Sequence, residues 1–164
     1  MAEIRIRKRK RLRSKDARLL AERMESIFGM ATFGDEDAVD VANSSDFDLL
    51  FINGRILGML LEEEPFLTIR GVLHYRPEKR FVTVDMGAVP YVTNGADIMT
   101  PGITDADPCI EEGDLVWIRD IRNLVPLAIG RSLLPGRELV ERKEGKGVSN
   151  IHYVGDRLWK YEEA

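Results

Sequence analysis

The segment at residues 81–103 constrains the fold more than any other part of the chain, because its backbone is interrupted at short intervals. It reads FVTVDMGAVPYVTNGADIMTPGI. The β-branched and aromatic run at 81–84 predicts a short strand. Residues 88–93 predict one or two turns of helix, with Pro90 near the start, where a missing N–H is tolerated. An Asn-Gly pair and then a Pro-Gly pair predict two bends that leave main chain exposed, so that another backbone can come close.

The rest of the second half consists of short apolar runs separated by turn signals. Strands are predicted at residues 115–118, 124–129, 138–142, 151–154 and 157–159. Pro126 indicates an edge or a bulge in the second of these. A turn-rich loop is expected at 104–108 and a flexible, basic tip at 145–147. Several short strands at close spacing are typical of a small, mostly β barrel.

The first half mixes helical and strand patterns. Residues 3–9 alternate between apolar and basic side chains, which predicts a half-buried strand. An apolar face at helical spacing follows, with Ser14 expected to cap its start and Gly29 to end it. Asn53-Gly54 between two apolar runs predicts a hairpin with a type I′ turn. The apolar segment at 66–73 is expected to form a helical turn.

A polar, proline-marked stretch around Pro77 predicts a boundary between two domains, at 1–78 and 79–164. The predicted class is α+β, with an N-terminal α/β domain and a C-terminal, mostly β pseudo-barrel.

The charge distribution is uneven. The net charge is −4, but residues 1–18 hold nine Lys or Arg and two acids, for +7, while the remainder has 15 basic and 26 acidic residues, for −11. A basic stripe on an acidic body is typical of a protein that binds a polyanion through one surface. The other interpretation is a strand edge whose Lys and Arg residues prevent pairing with other chains. The acids at 35–40 are expected to form a solvated loop, since their spacing does not match a calcium-binding loop.

The sequence offers little for catalysis or cofactor binding. His74, His152 and Cys109 show no zinc-ligand spacing, and the glycine patterns of dinucleotide-binding and P-loop proteins are absent. We therefore expect no metal, no cofactor and no enzymatic activity. The single cysteine agrees with a reducing, cytoplasmic environment. No apolar run approaches the ~20 residues that span a membrane.

Two segments carry a resemblance to a known family. VDMGAVPYVTNGADIMTPGI resembles the opening of a PUA domain, a small RNA-binding pseudo-barrel, and GVSNIHYVGDRLW resembles its closing strand. The whole chain is similar to the malignant T-cell-amplified sequence proteins and their archaeal homologues, which pair a pre-PUA domain with a C-terminal PUA domain.

The resemblance implies a non-enzymatic protein that binds structured RNA, either tRNA or small-subunit rRNA, in translation initiation or recycling on the ribosome. It also implies a protein partner, a translation factor, on the pre-PUA domain. The implied RNA surface comprises Gly87, Ala88, Val89, Gly95, Ala96, Asp97, Met99, Pro101, Gly102 and Ile103, to which the basic stripe adds Arg5, Arg7 and Arg9. Two alternatives stay open: a protein-interaction scaffold, and a detached RNA-targeting subunit of an RNA-modification enzyme.

Overall fold

A computed structural model describes residues 2–163 of the protein. The chain forms two compact units, one ending at Pro77 and the other comprising Glu78–Glu163. Within the described residues, no helix combines the length and the apolar character that crossing a membrane requires.

The first unit is an antiparallel meander with two helices. Its five strands are adjacent in the order β1-β2-β3-β4-β5. Their bounds are Ile6–Arg11 (β1), Val39–Ser44 (β2), Asp48–Ile52 (β3), Arg55–Leu61 (β4) and Glu64–Leu67 (β5), and the helices are Ser14–Phe28 (α1) and Ile69–Tyr75 (α2). The predicted hairpin is present, since Asn53 and Gly54 join β3 to β4 with φ angles of 51° and 86°. Both values are positive, as a type I′ turn requires.

Helix α1 begins differently from the prediction and ends as predicted. Arg13 is its N-cap and makes no side-chain capping bond, so Ser14 is the first helical residue rather than the cap. Gly29 ends the helix in the left-handed region. Met24 and Phe28 are buried, and the Phe28 ring lies 4.9 Å from that of Phe66. This aromatic contact joins α1 to the sheet.

The segment predicted as a helical turn at 66–73 is part strand and part helix. Phe66 lies in β5, and α2 begins after Thr68, whose Oγ1 accepts a hydrogen bond from Gly71 N at 3.2 Å. A Cβ on Gly71 would lie 1.9 Å from the carbonyl oxygen of Leu57. Only glycine therefore lets α2 come this close to β4.

The second unit is a six-stranded sheet curled into a half-barrel. Its strand order is β7-β11-β10-β9-β6-β8, with β6 and β9 parallel and the other pairs antiparallel. The strands are Phe81–Val84 (β6), Ile98–Met99 (β7), Ile103–Ala106 (β8), Leu115–Asp120 (β9), Pro126–Ser132 (β10) and Lys146–Tyr153 (β11). The helices are Val89–Val92 (α3), Gly136–Glu141 (α4) and Arg157–Glu163 (α5), and a 3₁₀ turn covers Thr100–Gly102. As predicted, the ladder is irregular at Pro126.

Four predictions for the second unit are wrong. Residues 104–108 are not all loop, because β8 reaches Ala106 and pairs with β6. Residues 138–142 lie in or next to α4 and not in a strand. Tertiary packing selects this helix, because Leu139 is buried and a Cβ on Gly136 would lie 2.2 Å from a backbone oxygen. Residues 157–159 begin α5. The expected flexible tip is also ordered, since Lys146 starts β11 and Gly147 is buried against Ile103 and Leu139.

Candidate nucleic-acid interface

A shallow groove lies on the second unit beside α3 and the 3₁₀ turn. Its volume is about 270 Å³. Six of the ten residues predicted for this surface line it: Gly87, Ala88, Asp97, Met99, Pro101 and Gly102. Of the other four, Ile103 is 6% exposed and belongs to the barrel core, and Val89 packs against that core. Gly95 and Ala96 follow α3 and do not line the groove.

The end of β6 positions the groove. Asp85 N donates to the Gly102 carbonyl at 2.9 Å, which ties the strand end to the 3₁₀ turn. The Asp85 carboxylate accepts a hydrogen bond from Ala88 N at 2.9 Å and thereby stabilises the turn that leads into α3. Asp85 is thus the turn-stabilising acid that its position after a strand indicates. Since these bonds tie both walls to β6, the groove is preformed.

Glycine is present at two positions of this region for different structural reasons. Gly95 has φ of 92°, and a Cβ there would lie 2.9 Å from the Tyr153 ring. Gly102 has no such φ requirement, and its Cβ would lie 3.2 Å from the Ala88 Cβ. Gly95 is therefore required by backbone conformation and packing, whereas Gly102 keeps one wall of the groove low.

The groove exposes aromatic and apolar surface that the sequence did not indicate. Tyr91 lines it with 69% of its surface exposed, and Met99 is 47% exposed. Tyr91 was missed because the pattern of a one-turn helix does not show which side faces the core. Here Val92 is the buried residue, so its neighbour Tyr91 faces out. An exposed aromatic ring beside an open groove is suited to stacking on a planar ligand.

Two acids line the groove, and a lysine pairs with one of them. Asp97 accepts a hydrogen bond from Asn150 N at 2.9 Å and pairs with Lys146 Nζ at 3.1 Å. The bond from Asn150, with a smaller contribution from Lys146, lowers the pKa of Asp97 below its usual value despite partial burial. With Asp85, two carboxylates line the groove, which suits hydroxyl and amino groups better than phosphates.

The basic stripe lies on the first unit and divides into free and engaged arginines. Arg5 and Arg7 border a depression of about 260 Å³ with Asn43, Ser44 and Ser45. Within residues 2–163, no ion pair or hydrogen bond engages either guanidinium. These two side chains are therefore available to an anionic ligand.

Arg9, the third predicted residue, is engaged by residues of its own unit although its side chain remains 44% exposed. Its Nε donates to Asp40 at 2.8 Å, and its guanidinium lies 4.0 Å above the Phe51 ring. Arg11 also donates to Asp40. The hydrogen bond from Arg11, more than that from Arg9, lowers the Asp40 pKa against the opposing effect of burial. Asp40 is 8% exposed, so the expectation that it lies in a solvated acidic loop is wrong.

This ion pair should stabilise the protein in a pH-dependent way. Because the pKa of Asp40 is lowered on folding, its contribution is fully present above the unfolded value of about 3.9 and is lost as the pH falls through the native value. We expect Asp40→Asn to lower the free energy of unfolding by about 1 kcal/mol at pH 7 and by progressively less below pH ~4. Denaturant titrations followed by circular dichroism measure this difference.

Asp35→Asn is the matched control, since Asp35 is an exposed partner of Arg18 at 3.4 Å. It should change stability little at any pH. Equal decreases in stability for the two variants would mean that the Asp40 pair adds no specific stability.

Other groups singled out in the sequence are structural. His152 is buried, and its Nδ1 lies 2.7 Å from Asp156 Oδ2. Burial alone would raise the pKa of Asp156. The bond to His152 and those from the Trp159 and Tyr153 N–H groups outweigh it and lower that pKa. Trp117 is buried and donates to the Lys79 carbonyl at 2.8 Å. In the described part of the chain, no three His, Cys, Asp or Glu residues cluster as a metal site would need.

Comparisons with known proteins agree with this geometry. Residues 80–154 match the PUA domain family. A translation machinery-associated protein 20 of Schizosaccharomyces pombe is 32% identical over 117 residues, which are 68% of this chain and 65% of that protein. A malignant T-cell-amplified sequence 1 homolog of Drosophila melanogaster is 30% identical over 133 residues, which are 76% of this chain and 72% of that protein.

The chain belongs to the malignant T-cell-amplified sequence family. A crystal structure of a hypothetical protein from the hyperthermophilic archaeon Pyrococcus horikoshii shares its fold, with a TM-score of 0.87 and 30% identity over 94% of this chain and 99% of that one. The groove and the half-barrel of this family member both lie in its PUA domain, and the resemblance stated from the two sequence segments is confirmed.

Proposed function

We propose that this member of the malignant T-cell-amplified sequence family is a non-enzymatic, cytoplasmic RNA-binding protein of the translation machinery. The target is structured RNA, either tRNA or small-subunit rRNA, in initiation or recycling. The observation that carries the proposal is the preformed groove of the PUA domain, with Tyr91 and Met99 exposed beside low glycine walls. The name of the fission yeast relative supports the link to translation.

The groove favours the ribose and base parts of RNA. Tyr91 offers a ring for stacking. The carboxylates of Asp85 and Asp97 accept hydrogen bonds from 2′-hydroxyl and amino groups. The N–H of Gly87, which has no acceptor among the described residues, donates to a ligand oxygen. Shape and 2′-hydroxyl contacts then dominate over base reading, as is usual for structured RNA.

The basic stripe supplies a separate electrostatic contribution through Arg5 and Arg7. The first unit, which we propose is an independent pre-PUA domain, also holds a protein partner. The two units are proposed to fold separately, at 1–78 and 79–164. In this account each unit binds through its own residues.

Purification of the tagged protein from its own cells, followed by sequencing of the bound RNA, tests the proposal. We expect enrichment of tRNA or small-subunit rRNA. Recovery of an RNA-modification enzyme with its guide or substrate RNA would support the detached-subunit alternative. Recovery of proteins without RNA, also after crosslinking, would support the scaffold alternative and contradict ours.

Replacing Arg5 and Arg7 with serine should weaken RNA binding about equally for all sequences. The slope of log K against log salt is negative, and each arginine–phosphate interaction lost makes it shallower by about 0.7, the value for a single-stranded phosphate contact, so the double variant should be shallower by about 1.4. Filter-binding titrations at salt concentrations from about 50 to about 300 mM, where such plots are roughly linear, measure this slope.

Arg9→Ser provides the contrast, because Arg9 is already paired with Asp40. It should affect stability more than the salt slope. If the slope of the double variant equals that of the parent protein, the stripe only protects the strand edge.

A further inference from the structure

A polar pocket in the first unit shares no lining residue with the groove or with the depression beside Arg5 and Arg7. It has a volume of about 300 Å³ and is bounded by the β3–β4 hairpin, the loop before β2 and the last turn of α2. Ile52 and Leu57 give it apolar walls. The remaining lining residues, Thr32, Asp37, Asn53, Arg55, His74 and Tyr75, are polar.

Two basic side chains meet in this pocket. Arg55 Nη1 lies 3.4 Å from His74 Nδ1. An arginine can only donate, so Nδ1 accepts and the imidazole proton is on Nε2. Among residues 2–163, no carboxylate comes within ion-pair distance of Arg55. A guanidinium is always charged, and this one therefore lacks a counter-ion.

The acid of the pocket does not supply that counter-ion. Asp37 accepts hydrogen bonds from Gly34 N and from Asn53 Nδ2, both at 2.8 Å, through its two different carboxylate oxygens. These bonds tie the loop before β2 to the hairpin turn. Asp37 thus has a structural role. Its negative charge still repels an anion and therefore limits the affinity of the pocket for one.

Two hydroxyl-bearing residues, Thr32 and Tyr75, also line the pocket. Thr32 Oγ1 is inaccessible to solvent and has no partner in the described chain. Burial, with a further contribution from Asp37 and against the effect of Arg55, raises the pKa of Tyr75 to about 12. The Tyr75 hydroxyl therefore remains a donor at every physiological pH. Because Thr32 Oγ1 is closed to water, it is equally closed to a ligand oxygen, so Tyr75 supplies the hydroxyl that is available to a ligand.

We propose that this pocket binds one phosphate group. A phosphate presents several acceptor oxygens, which match the planar fork of Arg55, the Nε2–H of His74 and the hydroxyl of Tyr75. Ile52 and Leu57 can contact the sugar or base of a nucleotide that carries the phosphate. The site uses none of the residues of the groove or of the stripe, so it stands independently of the RNA site proposed above.

Ring resonances of the two histidines in isotope-labelled, full-length protein provide the test. Addition of inorganic phosphate or adenosine 5′-monophosphate, at constant ionic strength, should shift the His74 resonances in a saturable way. His152, which is buried in the second unit, is the internal control and should not move. Absence of a saturable change at His74 with both probes would overturn the proposal.

Arg55→Gln should weaken phosphate binding roughly 10- to 100-fold, since it removes a charged donor and keeps a polar side chain. Arg76→Gln is the matched control, because Arg76 follows α2 directly but does not line the pocket. Equal binding by Arg55→Gln and the parent protein, or equally weakened binding in both variants, would overturn the proposal.

The two probes separate the sources of the phosphate. Tighter binding of the nucleotide than of inorganic phosphate indicates a nucleotide ligand that uses the apolar walls. Equal binding of the two indicates that the phosphate group alone is recognised.

Discussion

Replacing Gly102 with leucine should lower RNA affinity roughly 30- to 1000-fold while the protein keeps a cooperative melt. The leucine side chain would stand on the low wall beside Ala88, where the glycine Cβ position is 3.2 Å from the Ala88 Cβ. RNA would no longer stack on Tyr91 or form the hydrogen bonds beside it, about 2–4 kcal/mol together. Stability should change by at most about 1 kcal/mol, because Gly102 needs no positive φ and a non-glycine residue restricts the unfolded chain.

Gly34→Leu is the matched control for this change. Gly34 is exposed in the first unit, has no positive φ, and its Cβ would meet only the flexible carboxylate of Glu36 at 3.3 Å. A substitution at Gly145 would not serve as this control, since the φ of 93° at Gly145 makes any side chain there strained. Gly34→Leu should leave both melting and RNA affinity near the parent values. RNA binding by Gly102→Leu at parental affinity, with normal melting, would place the RNA surface elsewhere.

Replacing Tyr91 with alanine should weaken RNA binding by about 1–3 kcal/mol, which is roughly 5- to 150-fold. The ring is 69% exposed, so its removal costs the fold little packing. Tyr91→Phe keeps the π surface and should retain most of the affinity. Fluorescence anisotropy with the co-purified RNA measures these changes.

Tyr161→Ala is the control, because Tyr161 is an exposed tyrosine on α5 that does not line the groove. It should bind RNA like the parent protein. A parental affinity for Tyr91→Ala would show that the ring takes no part in binding and would leave the groove with backbone contacts alone.

Local sequence signals predicted the features that depend on backbone chemistry. The Asn53-Gly54 turn, the left-handed end of α1 at Gly29 and the bend at Gly95 each follow from a residue that tolerates positive φ. The strand at 81–84 was predicted from its β-branched and aromatic run, the short helix from the apolar residues 88–93, and a bend from Pro101-Gly102, where the structure has a 3₁₀ turn. The six predicted residues that line the groove were named through the family resemblance, which these backbone signals accompany.

The sequence could not show features that depend on distant partners. Arg9 is engaged by Asp40, 31 residues away, and no local pattern distinguishes it from Arg5 and Arg7. The strand predicted at 138–142 contains adjacent apolar residues that suit either a strand or a helix. Packing of Gly136 against the Asp107 carbonyl selects the helix. Ile103 was assigned to the RNA surface by the family resemblance, and its burial in the barrel core depends on the pairing of β8 with β6, which no local pattern shows.

Amide chemical-shift mapping with the co-purified RNA tests the central claim most directly. Isotope-labelled protein is titrated with the RNA, and the glycine resonances provide sharp probes. We predict the largest changes at Gly87, Tyr91, Met99 and Gly102, with little change at Gly113 and Gly155, which do not line the groove. If RNA binds but the amide resonances of these four groove residues do not shift, the account is contradicted.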